Sequence, residues 1–175
     1  MIPAVAQTLA ELLAGETSLV STEQIDFNHP GLRAKPGPRL NLYCYHIRAN
    51  HQGQINSLTS SGLTQWFDVS FLVSAWDDTA LGEQRLLYET LMSLLQHCAL
   101  EETHLAPALR GYGNLAIAVS SLHPTETVAI WTALGVPLRP ALCVTVTIPV
   151  NLQPPPYTRK SPNRICNLPV TPYLR

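Results

Sequence analysis

The side chains in this chain that could do chemistry are few. Cys44 and His46 stand two apart in an apolar run. On one strand face a thiol and an imidazole at that spacing would make half of a metal site, but no second pair stands out to complete it. His97 and Cys98 are neighbours in a helical stretch, where consecutive side chains point about 100° apart. The four cysteines are scattered without a CxxC, which reads as reduced, buried thiols beside ordinary histidines. Asp77 and Asp78 are adjacent carboxylates just ahead of a helical run. There they cap the first turn and meet the positive end of the helix; general acid–base work would need a separated, desolvated pair. No GxSxG and no phosphate-binding loop occurs, and Gly111-Tyr112-Gly113 lacks the spacing and the following helix. Trp66, Trp76 and Trp131 suit a core or a subunit interface better than a ligand stack. The residues therefore lead us to expect no catalytic group, no metal and no cofactor.

The elements that must position any surface are easier to read. Trp66 to Trp76 alternates over its whole length and holds no Pro or Gly. It reads as a central strand with Phe67, Val69, Phe71, Val73 and Ala75 on one apolar face. Leu40 to Ile47 is a second strand, with Leu40, Leu42, Cys44 and His46 on one side and Asn41, Tyr43, Tyr45 and Ile47 on the other. Between these two, residues 48–65 read as a long polar connection. Leu115 to Val119 and Ala141 to Val150 are further strands, and Gln24 to Phe27 suits a short edge strand. A helix opens the chain, with Pro3 in its first turn, Val5, Leu9, Leu12 and Leu13 on one face and Gly15 at its end. A long helix from about Thr79 to Ala99 carries Leu87, Leu91, Leu94, Leu95 and Cys98 as its apolar stripe. Pro124 starts a third, with Glu126 at its positive end. The order α-β-β-β-α-β-α-β predicts an α+β fold: a single domain with a four- or five-stranded mixed sheet and helices packed on it.

At 175 residues the chain is long enough for one domain, and 46% apolar content supports an ordinary core. Charged residues make up only 13%, about half the usual share, which suggests a surface covered by other subunits. The alternative is a slightly sticky monomer. All twelve acids lie at or before Glu126, so residues 1–150 carry a net −5 and residues 151–175 a net +4. That excludes the body as a nucleic-acid binder by charge. The opening helix lacks a basic leader, and no apolar run approaches bilayer-spanning length. Synthesis in the cytoplasm and no membrane insertion are expected.

From Asn151 the composition changes. Prolines at 154, 155, 156, 162, 169 and 172 break any regular element. The chain thus divides into a body, 1–150, and a Pro-rich basic arm, 151–175. Tyr157, Arg159, Lys160, Arg164, Ile165 and Leu168 are the arm's candidate partner-binding residues. Its single charge sign would let it seek an acidic surface; the alternative is an overhang that contacts nothing.

Four segments come in the order and spacing of a known family: MIPAVAQTLAELL, LNLYCYHIRAN, the central strand with ALGEQRLLYETLMSLLQHCAL after it, and WTALGVPLRPALCVTVTIPV. The run Trp131 to Pro140 and the helical Glu83 to Leu87 are the most specific. The chain resembles the cap, or tail-terminator, proteins of contractile injection systems of the antifeeding-prophage and virulence-cassette type. The resemblance covers nearly all of residues 1–150. It implies a tail-terminator-like fold and a structural part in a phage-tail-like particle. It also implies a homo-hexameric ring that contacts the sheath and inner-tube subunits at the end distal to the baseplate. Such a ring stops polymerisation and ties the last tube layer to the last sheath layer. A helical polymer grows by repeating a heterologous contact, so a cap must copy one half of that contact and withhold the other. The arm lies outside what the resemblance matches. Strand addition from it onto a sheath sheet is one expectation. Two other classes stay open: a non-catalytic adaptor or assembly chaperone of such a particle, and a small enzyme built on the Cys/His pairs.

Overall fold

A computed structural model describes residues 1–19, 21–32, 36–50, 63–120 and 122–152. The order is α1 (Ile2–Glu16), β1 (Ile25–Asp26), β2 (Arg39–Asn50), β3 (Leu63–Trp76), α2 (Ala80–Gln96), β4 (Ala99–Leu100), β5 (Leu115–Ser120), α3 (Pro124–Ala133) and β6 (Ala141–Leu152). The strands form one sheet in the order β1-β2-β3-β6-β5-β4. β1 runs parallel to β2 and all other neighbours are antiparallel, so the sheet is mixed, as the α+β reading requires. Among the described residues it has six strands rather than four or five. The added one, β4, is two residues long and leaves the end of α2 to pair with Ala116 and Leu115.

β3 is the centre. It pairs with β2 from Trp66 to Trp76 and with β6 from Leu63 to Ser74. Val69, Phe71, Val73 and Ala75 are buried with Leu40, Leu42, Val144, Val146 and Ile148 under α1 and α2. Each Val, Leu, Ile or Phe among them contributes about 1.5–3 kcal/mol on burial, and Ala75 less. Leu72 and Cys143, on the other face, pack against Trp131 of α3 in a second, smaller core. The sheet is therefore covered on both faces, with two helices on one and one on the other.

Both long strands extend past their sequence limits, to Asn50 in β2 and from Leu63 in β3. β2 also departs from simple alternation. Cys44 pairs with Phe71 and His46 with Ser70, so Tyr45 is an extra residue. A bulge of this kind places two residues opposite one and reverses the alternation beyond it. Cys44 keeps the core face with Leu42. His46, expected beside it, goes to the opposite face, and Ile47 pairs with Val69 on the core side.

α2 is shorter and turned relative to the expected stripe. Its buried residues are Leu86, Leu87, Thr90, Ser93 and Leu94, while Leu95 is 62% exposed and Cys98 is exposed beyond the helix end. The adjacent pairs Leu86-Leu87 and Leu94-Leu95 fit two faces equally well. Thr90 can be buried because its hydroxyl donates to the Leu86 carbonyl at 2.8 Å. Thr79 is the N-cap and accepts from the Gly82 amide at 3.0 Å. Asp77 braces it by accepting from the Thr79 amide at 3.0 Å. In α3 the expected start holds, with Glu126 accepting from the His123 amide at 3.0 Å.

Candidate assembly surfaces

The bulge separates the residues that the sequence placed together. Cys44 lies under the sheet and His46 above it, beside Tyr45, so the two cannot face one ion. Burial pushes the Cys44 and Cys143 thiols above their usual range. His97 is held by an acid instead: its Nε2 lies 2.6 Å from a Glu16 oxygen, and Ser93 donates to the other oxygen at 2.8 Å. That carboxylate joins the C-terminal ends of α1 and α2. Among the described residues no group of three or more His, Cys, Asp or Glu side chains is arranged to hold a metal ion.

The main polar centre lies where alternation alone gave no hint of one. Asp68, near the middle of the central strand, is 7% exposed. It accepts from Arg48 at 3.0 Å, Asn50 at 2.8 Å and Thr147 at 2.9 Å. These come from the two strands that flank β3. Burial pushes the carboxyl up, but the bonds from Arg48, Asn50 and Thr147 outweigh it and hold the group below its usual range. Arg48 itself is 70% exposed, so it also presents a cation to the surroundings. An acid in an apolar strand, with an Arg in the neighbouring one, was the available signal.

A second polar clamp joins the two most specific sequence segments. Arg139 donates to the Glu83 carboxylate, and its guanidinium carbon lies 3.4 Å from the centroid of the Trp76 ring. One residue comes from the α3–β6 connection, one from the first turn of α2 and one from the end of β3. The clamp therefore fixes where three elements meet.

Outside the cores, α2 carries Leu81, Tyr88 and Leu95 exposed at seven-residue intervals, with Met92 beside them. At 3.6 residues per turn these fall in one stripe. It is the face opposite the buried one and nothing among the described residues covers it. Val128 and Leu138 add exposed apolar side chains. A chain poor in charge thus concentrates apolar surface on one helix, as an interface would require. The six partner-binding candidates of the arm, Tyr157, Arg159, Lys160, Arg164, Ile165 and Leu168, lie outside the described residues. No helix among the described residues is long and apolar enough to cross a membrane.

Two solved structures share this fold. One is the sheath/tube terminator of an extracellular contractile injection system, PVC, in its extended state, with a TM-score of 0.64, 18% identity, and coverage of 96% of this chain and 65% of that one. The other is the tube-terminating cap of the anti-feeding prophage, with a TM-score of 0.60, 17% identity, and coverage of 91% and 60%. The chain thus spans less than two thirds of the length of either. No curated protein matches. The model of the Pvc16 N-terminal domain family matches residues 4–164. By that span, over a fold shared with two terminators of contractile particles, the chain belongs to the Pvc16 N-terminal domain family.

Proposed function

We propose that this protein caps a contractile injection particle. It forms a ring on the baseplate-distal end, stops growth of tube and sheath there, and links their last layers. The observation that carries this reading is the fold itself, shared along nearly the whole chain with a sheath/tube terminator. The exposed apolar stripe on α2 supports it, because a ring needs a surface that each copy presents to the next. We take the ring to hold six copies and to contact both sheath and inner tube. The arm, residues 151–175, reaches a neighbouring subunit in the finished particle through Tyr157, Arg159, Lys160, Arg164, Ile165 and Leu168. The role is one of shape and surface, with no reaction assigned.

The test is electron microscopy of particles from a strain that lacks the gene. Tubes of variable length with unstable sheaths are expected. Tubes of normal, uniform length with stable sheaths would refute the proposal. An adaptor or chaperone role would instead show as the protein's absence from purified wild-type particles.

A further inference from the structure

α1 and the segment from Ala99 to Arg110 enclose a groove of about 750 Å³. The wall is anchored. Leu105 and Leu109 are fully buried, and the Ala106 amide donates to the Thr8 hydroxyl at 3.2 Å, which itself donates to the Ala4 carbonyl at 3.0 Å. The accessible apolar lining is Leu12, Ala99, Ala106 and Pro107, backed by buried Leu100 and Leu105, with Glu11, Glu16 and Glu101 among its charged groups. Its other ionisable groups are Arg110, His97 and His104. Arg110 turns its Nε to the Leu105 carbonyl at 2.8 Å, and Glu16 is engaged by Ser93 and His97. Glu11 and Glu101 are the exposed acids of the rim.

We propose that, before assembly, this groove holds the chain's own arm, with Arg159, Lys160 and Arg164 against the rim acids and Tyr157, Ile165 and Leu168 over the apolar lining. The charges match, since the arm carries only cations. The length matches too. The β5–β6 register places Leu115, and with it Leu100 of β4, level with Ile148. Leu152 is four residues further along β6 and two strands across, about 13 Å and about 10 Å away. The five residues 153–157 reach at most about 17 Å when extended, which brings Tyr157 to the groove. A tether this short gives the arm a high effective concentration at its own groove, ahead of any neighbour's. This inference goes beyond the capping role. It makes the arm a stored element, free to engage a neighbour only once it leaves.

The test uses the isolated full chain at low concentration, as an equal mixture of ¹⁴N- and ¹⁵N-labelled protein. A zero-length carbodiimide joins amine to carboxylate, and Lys160 is the only lysine of the arm. Same-isotope links from Lys160 to Glu11 or Glu101 are expected, suppressed in 1 M salt. Arg159→Glu/Arg164→Glu, which keeps all three cross-linking groups, should cut their yield about tenfold or more. Absence of the link, a mixed-isotope link, or an unchanged yield in the variant each overturns the proposal. None of these outcomes depends on particles, so the storage role and the capping role can fail separately.

Discussion

Arg139 offers the sharpest test of how this fold is held together. Its guanidinium lies on Trp76 and pairs with Glu83, with the side chains of Arg139 and Glu83 only 18% and 21% exposed. A partly desolvated cation over an indole gives about 1–2 kcal/mol. A partly buried, charge-assisted pair adds about 1 kcal/mol after its desolvation cost. Arg139→Ala should therefore lower stability by about 2–3 kcal/mol, a fall in Tm of roughly 5–10 °C for a chain of this length. Arg139→Lys keeps the charge but loses the planar stack and should cost about half as much. The assay is a double-mutant cycle by urea denaturation with Arg139→Ala, Glu83→Gln and both. A coupling of about 1 kcal/mol is expected. If the double variant loses the sum of the two singles to within about 0.3 kcal/mol, the Arg139–Glu83 pair carries no energy; an Arg139→Ala loss below about 1 kcal/mol would remove the stack on Trp76 as well.

Three further outcomes follow from other sites. Because the Asp68 carboxyl is held below its usual range, it adds stability that is present above the unfolded value of about 3.9 and is lost as pH falls through its folded value. Asp68→Asn should lower stability near neutral pH and flatten the acid limb of a stability–pH profile; an unchanged acid limb would count against the assignment. A Cβ at Gly82 would sit 2.3 Å from the Asp77 carboxyl, so Gly82→Ala should destabilise the native chain in thermal melts. In an Asp77→Ala background the same change should become neutral or stabilise by up to about 1 kcal/mol, the helix-propensity gain; the same loss in both backgrounds would contradict it. Replacing Leu81, Tyr88 and Leu95 together by Gln should leave stability within about 1 kcal/mol yet block incorporation into particles, and normal incorporation would remove α2 from the interface.

Much of the architecture could be read from alternation. The buried side of β3 follows from Val69, Phe71, Val73 and Ala75, because a strand covered by helices must repeat every two residues. The bulge could not be read, since nothing in Tyr43-Cys44-Tyr45-His46 marks which residue is the extra one; the pairing with β3 decides it. The turn of α2 was missed because paired leucines leave its phase ambiguous until the sheet selects Leu86 over Leu95. β4 forms only because β5 is beside it. Arg139 and Glu83 were both in the segments that carried the resemblance, yet they are 56 residues apart, and no local pattern joins them. The groove has the same origin: Glu11 and Glu101 become neighbours only when the chain closes.

The extra residue in β2 also divides that strand into two halves that can change separately. Removing Tyr45 would make Cys44 and His46 consecutive, and so still on opposite faces, leaving Arg48 and Asn50 turned to Asp68 while the local kink and added twist disappeared. A lineage could thus change the angle at which the outer end of this hairpin leaves the sheet by a one-codon deletion, with the Asp68 contacts and the interior both kept.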